Sequence, residues 1–181
     1  MPVETNRAGE AALVNAARRG DSAAFEQLYR NYARMVHGLL LARAPHDVVE
    51  DLAQDVFFQA YRKLPRLRDD AAFGGWLAAI ARNRARDHFR RAPQAAGELP
   101  EGLAAPGSAS AEAEAVAALA AIRALPEAYR ETLILRLVEG MTGNEIADRT
   151  GLAPASVRVN LHRGMKLLRE RLSGRKETLE E

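Results

Sequence analysis

The stretch VRVNLHRGMK, residues 157–166, places Arg158, Val159, His162, Arg163 and Lys166 so that on a helix they share one face. A guanidinium on such a face can bond bidentately to guanine in the major groove, and Val159 can press on a thymine methyl. The remaining cations would hold phosphate, which fixes register without reading sequence. A second stretch, FGGWLAAIARNRARDHFRR at 73–91, sets arginines 82, 84, 86, 90 and 91 around Asn83, with Phe73 and Trp76 at its start. Charge that follows a backbone, together with rings that hold unstacked bases, is what single-stranded DNA requires. Phe73 and Trp76 also stand at the spacing of ordinary core partners, and Trp76 is expected to serve mainly in packing. Between them, Gly74 and Gly75 permit either a plain helix-breaking connection or a loop that lets a backbone approach an extruded base. A third set, Asp51, Gln54 and Asp55 with neighbouring Glu50, forms an acidic patch suited to steering a basic protein partner. For each charged set the bland alternative is a solvated surface.

Other chemistry finds little support. The four histidines, His37, His46, His88 and His162, are dispersed, and the chain has neither cysteine nor an HExxH motif, so no metal site and no cofactor are expected. No short motif fixes two carboxylates around a substrate, and an enzymatic role is not expected. The absence of cysteine fits a reducing compartment. No apolar run reaches transmembrane length and the start MPVETNRAGE lacks signal-peptide features, so the cytoplasm is the expected location and no membrane insertion is foreseen. The formal net charge of +2 over 181 residues does not by itself demand nucleic acid; the local arginine clusters set the field a partner meets.

The elements that must position these residues are helical. Alanine, leucine, arginine and glutamate dominate and no alternating β-branched run appears, so the fold class is all-α: two small helical domains joined by a flexible linker, the second a helix-turn-helix. In the second domain, 116–175, Leu133, Leu137 and Val138 are expected to line one helix, Ile146 and Ala147 the next, and Val157, Leu161, Met165, Leu168 and Leu172 the last. Pro126 suits a first helical position, Thr142 with Glu145 forms a capping-box pattern, Gly151 marks a sharp turn, and Pro154 opens the final helix after an Ala153 that cannot cap it. The stretch 92–115 holds four glutamates, three prolines and no lysine or arginine, which is linker chemistry. The first domain, 8–91, should carry a short helix through Leu13 to Ala17. A second, capped by Asp21 or Ser22, bears Phe25, Leu28, Tyr29, Tyr32, Val36, Leu39 and Leu40. A third, with Asp47 as candidate cap, ends at Pro65, and a fourth runs from near Ala72 to Phe89.

In this order the segments GDSAAFEQLYRNY, DLAQDVFFQAYRKL, FGGWLAAIARNRARDHFRR, the acidic linker and LPEAYRETLILRLVEGMTGNEIADRTGLAPASVRVNLHRGMKLLRERL resemble a bacterial RNA polymerase sigma factor of the extracytoplasmic function group, over nearly the whole chain. The resemblance implies that Asp51, Gln54 and Asp55 meet the clamp helices of the largest polymerase subunit. It implies a minus-10 loop over Leu67 to Gly75, with Phe73, Gly74, Gly75 and Trp76 beside a flipped base and Arg82, Asn83 and Arg86 beside the melted non-template strand. It further implies minus-35 reading by Arg158, Val159, His162, Arg163 and Lys166, a contact of the second domain with the polymerase flap, a linker threaded through the active-site region, and an anti-sigma factor as silencing partner. Two departures stand out: FGGWL replaces a form with a polar or charged pair between Phe and Trp, and VRVN places Val159 and Asn160 where Ser, Thr or Arg are frequent. The competing readings are a two-domain helix-turn-helix regulator that acts on duplex DNA alone and a protein-interaction module.

Overall fold

The computed structural model describes residues 3–91 and 109–177, and among these every regular element is helical. The expected linker lies mostly outside the described residues. In the first module α1 (Val3–Arg18), α2 (Ser22–Leu41), α3 (Val49–Lys63) and α4 (Phe73–Arg91) pack around α2. Asp21 starts α2 by accepting from the Ala24 amide at 3.1 Å, which satisfies one of the donors a helix leaves open at its first turn. Asp47 does not cap α3: it sits inside a 3-10 turn over His46–Val48, and the cap position falls to Val48, whose side chain has no acceptor to offer. The apolar stripe closes as its period requires, with Leu28, Tyr32, Val36 and Leu39 of α2 against Leu52, Val56 and Ala60 of α3 and Phe73, Leu77 and Ala81 of α4, all buried.

In the second module α5 (Ala109–Arg123), α6 (Glu127–Leu137), α7 (Gly143–Thr150) and α8 (Pro154–Glu177) form the helix-turn-helix unit. Helix α5 begins at Ala109, inside the stretch expected as linker, and its alanine-rich sequence explains why: alanine is the strongest helix former. The Thr142–Glu145 capping box is complete in both directions, with the Thr142 amide donating to Glu145 at 2.7 Å and the Glu145 amide to Thr142 Oγ1 at 3.2 Å. Gly151 ends α7 at φ +74°, the left-handed conformation that a side chain would resist. Pro126 sits at the cap of α6, one position before the first helical residue.

The apolar spacing of α6 misled in one respect. Leu137 and Val138, expected in the core, are about half exposed at 48% and 50%, and the buried run is instead Glu131 to Leu135. A helix covered on one side only buries a stripe; α6 is covered on two, by α8 behind and by α2 of the first module in front, so five successive residues leave water. Tyr29 of α2 and Phe89 of α4 likewise stand 45% and 53% exposed.

The modules therefore share a face, with α6 against α2 and α7 against both α2 and α4. The carbonyls left open at the end of α2 are taken up by arginines of the second module: Arg123 donates to Leu41 O at 3.0 Å and Ala44 O at 2.9 Å, and Arg130 to Ala42 O at 3.3 Å. Cations at a helix C-terminus suit both the orphan acceptors and the dipole.

Candidate nucleic-acid interface

Helix α8 presents Arg158, Val159, His162, Arg163 and Lys166 to solvent on one side, while Val157 and Leu168 are buried and Leu161 and Met165 pack on the core from the other. The preceding turn is rigid, fixed by the capping box at one end of α7 and by Gly151 at the other. The result is an exposed cationic helix face with one apolar side chain, Val159.

The first module's cations divide three ways. Arg84 is turned toward α3 and pairs with Asp55, Nε to Oδ2 at 3.0 Å. Arg86 and Asn83 are exposed and bond to each other at 3.3 Å; with Arg90, Lys63 and Gln59 they border an open groove of about 330 Å³ between α3 and α4. Arg82 faces the second module, and its guanidinium clasps Glu131, Nε to Oε2 at 3.1 Å with a second contact from Nη2 to Oε1.

The predicted loop is shorter than expected. Phe73, Gly74 and Gly75 belong to the first turn of α4, and the connection proper is residues 67–72, with Asp69 accepting from the Ala71 amide at 3.0 Å to shape a 3-10 turn. Phe73 is fully buried, edge-on to Tyr32 with ring centroids 5.1 Å apart, and Trp76 is partly buried 5.8 Å from Phe73. Leu67 is buried as well. Tyr32, which anchors this cluster, bonds to Glu10, and burial together with that carboxylate pushes its hydroxyl well above the usual tyrosine range. A cleft of about 800 Å³ opens beside this connection, lined on one wall by Arg68, Asp69 and Trp76 and on the other by Arg149, Leu152 and Pro154.

On α3, Asp51 and Gln54 are exposed and Asp55 is half-exposed through its bond to Arg84. Beside them stand aromatic side chains that periodicity did not single out: Phe58 is 61% exposed with Arg62 over its ring at 5.6 Å, and Tyr61 stacks edge-on to Phe25 at 4.9 Å. Phe58 falls outside the Leu52, Val56, Ala60 stripe, which was the signal available for its exposure. Glu131 was missed altogether. Arg43 reaches it at 2.8 Å and also bonds Glu127 at 3.1 Å, holding the Glu127 carboxyl below the usual carboxylate range.

Comparison with known proteins accounts for this arrangement. The sigma-70 region 2 family pattern matches residues 28–93 and the sigma-70 region 4 pattern matches residues 115–168. The RNA polymerase sigma-H factor of Pseudomonas aeruginosa is 34% identical, over 86% of this chain and 90% of that protein. The ECF RNA polymerase sigma factor ShbA of Streptomyces griseus is 34% identical, over 87% and 92%. Among solved structures, CnrH in complex with the cytosolic domain of CnrY shares the fold, with a TM-score of 0.64 at 24% identity over 91% of this chain and 97% of that one. The sigma factor RpoE bound to the anti-sigma factor NepR, from Bartonella quintana, gives 0.52 at 19% identity over 82% and 95%. The chain belongs to the sigma-70 family, in its extracytoplasmic function group, and it is an RNA polymerase sigma factor rather than a regulator that works on duplex DNA alone. Among the described residues no helix is long and apolar enough to cross a membrane.

Proposed function

We propose a division of labour among the surfaces of this sigma factor. The α3 patch of Asp51, Gln54 and Asp55, with Phe58 beside it, docks on the clamp helices of the core polymerase, where the charge orients the approach and the ring supplies contact area. The second module meets the flap and binds the minus-35 element, with Arg158, Val159, His162 and Arg163 reading the major groove and Lys166 holding phosphate. The first module opens the minus-10 element: Arg82, Asn83 and Arg86 hold the displaced strand, and a flipped base sits against the 67–75 segment, with Gly74, Gly75 and Trp76 forming its margin and Leu67 and Phe73 supporting it from the core.

Unstacking has an unfavourable cost, and a pocket for the base together with cations for the strand offsets it. Nucleotidyl transfer belongs to the polymerase, and this chain supplies promoter choice and melting, in the cytoplasm. An anti-sigma protein is the expected silencing partner; the fold neighbour CnrH is itself seen with the cytosolic domain of CnrY. The single observation that carries the reading is the exposed face of α8 in the same chain as a region 2 module. Adding the purified chain to bacterial core enzyme over a promoter library tests it: promoter-dependent transcripts are expected, and their absence across the library overturns it.

A further inference from the structure

Helix α1 precedes the segment matched by the region 2 pattern, which begins at residue 28. It nevertheless packs on the connection at 67–72 as well as on α2. Glu10, Val14, Ala17 and Arg18 stand at the i, i+4, i+7 and i+8 spacing of one helix face, with the buried Val14 and Ala17 between two charged residues. Both charges reach toward the segment that precedes α4. Glu10 accepts from the Tyr32 hydroxyl, and Tyr32 lies edge-on to Phe73, where the connection joins α4. Arg18 pairs directly with Asp70, at the start of the 3-10 turn inside the connection. Helix α1 thus holds this segment at two points, its middle and its end.

Asp70 is the residue of the connection that turns away from the cleft. Leu67, Arg68, Asp69, Ala71 and Ala72 all line the cleft, while Asp70, its side chain 20% exposed, points to Arg18 instead. The bonds that bend the turn are local: the Ala71 amide donates to the Asp69 carboxylate at 3.0 Å and the Ala72 amide to the Asp69 carbonyl at 3.1 Å. They set the shape of the turn and leave its place against α4 open, because a turn closed on itself can swing as a unit. Leu67 anchors one end by burial, and the Arg18–Asp70 pair anchors the other. That pair is poorly built for stability alone. One guanidinium nitrogen meets Asp70, while Nε is buried with no partner among the described residues. Desolvation of such a pair offsets much of its attraction, so what it supplies is geometry.

Arg68 and Asp69 stand beside this anchor with their side chains exposed at the cleft, a donor and an acceptor of the kind that reads a base edge. Hydrogen bonds weaken steeply with distance and angle, whereas the attraction of a cation to phosphate survives small displacements. We infer that Arg18 is a positioning residue for base capture: through Asp70 it holds Arg68 and Asp69 in place at the cleft, and so sets how sharply one flipped base is told from another. Strand holding by Arg82 and Arg86 does not depend on the pair. The inference rests on the reading of 67–75 as the segment that meets the flipped base.

Two variants of the full chain cut the pair while keeping the volume of the side chains. Arg18→Met retains the apolar stem without the charge, and Asp70→Asn retains the shape of the carboxylate without its charge. Each is assembled with bacterial core enzyme and given a series of pre-opened fork templates that differ only in one non-template base of the minus-10 element. Both variants are expected to cut the preference for the best base over the worst by roughly tenfold, the low end for loss of one base-edge contact. The double variant is expected to lose no more than either single one, since both break the same link. Binding of core enzyme and of minus-35 duplex should be unchanged. A preference that survives in both single variants, or that falls only in step with core and duplex binding, overturns the inference. If wild type shows a minus-10 preference in that case, the base-meeting segment stands and the positioning role alone falls; if wild type shows none, the reading of 67–75 falls with it.

Discussion

His37 of α2 bonds Glu139, just past the end of α6, across the boundary between the modules, Nδ1 to Oε1 at 2.6 Å. Glu50 of α3 approaches the other ring nitrogen at 3.8 Å, and Arg34, one turn earlier on α2, donates to the Glu139 carbonyl. The Glu139 bond raises the His37 pKa above its usual value, partly opposed by burial and assisted by the charges of Glu139 and Glu50. A group whose folded pKa is raised stabilises fully below its unfolded pKa, near 6.5, and the contribution is lost as pH rises through the shifted value. Wild type is therefore expected to exceed His37→Gln in stability by ~1.5 kcal/mol on the acid side, the low end for a hydrogen bond to a charged group. The gap should narrow as pH climbs above neutrality. Thermal melts of both proteins across pH check this, and a gap that widens with pH contradicts it.

The capping box of α7 gives a prediction of opposite sign. Backbone and side-chain bonds at Thr142 hold the Glu145 carboxyl below its ordinary pKa. Its contribution is present above the unfolded carboxylate pKa and is lost as pH falls through the depressed value. Thr142→Ala should cost about 1 kcal/mol at neutral pH. The Thr142 amide still holds the Glu145 carboxylate in that variant, so the pH dependence is read with Glu145→Gln, whose penalty in circular dichroism melts should shrink in acid.

Arg158→Ala and Arg163→Ala are each expected to weaken specific duplex binding by about 1–3 kcal/mol, the worth of a good bidentate base contact. Both side chains are exposed and away from the core, so their melting temperatures should match wild type. Lys166→Ala should instead weaken specific and scrambled duplex alike and flatten the salt dependence, as loss of a phosphate contact does. Anisotropy titrations at several salt concentrations separate the two patterns.

On α3, Phe58→Ala and Asp51→Asn should leave stability within about 0.5 kcal/mol of wild type, as is usual for surface positions. Affinity for core polymerase should fall by about 2 kcal/mol for Phe58→Ala, the scale of an aromatic hot spot. Asp55→Asn differs because it also releases Arg84, so it should lower both the melting temperature and core affinity. Pull-down of core enzyme beside melting curves would show the split; Asp51 and Phe58 variants that bind core as wild type does would remove the clamp contact.

The sequence by itself determined what local rules decide. Seven of the eight helices among the described residues follow from a 3.6-residue apolar period, α5 being the exception, while the start of α7 follows from Thr142 and Glu145, its end from Gly151, and the free face of α8 from the placement of Arg158, Val159, His162, Arg163 and Lys166. Each of these is settled within a turn or two of chain. The spacing of α3 likewise left Asp51, Gln54 and Phe58 outside the stripe. Periodicity cannot show that α6 is covered on two sides, so it points Leu137 and Val138 inward and gives no sign that Glu131 is buried. The string of arginines on α4 reads as one cationic surface. Only tertiary structure assigned Arg84 to Asp55 and Arg82 to a carboxylate 49 residues away, while leaving Arg86 exposed. The physical reason is that a side chain's charge is a property of its type, whereas its partner depends on which faces dock, and the docking of the modules is fixed by contacts such as Gly74 with the Arg149 carbonyl, which no local pattern encodes.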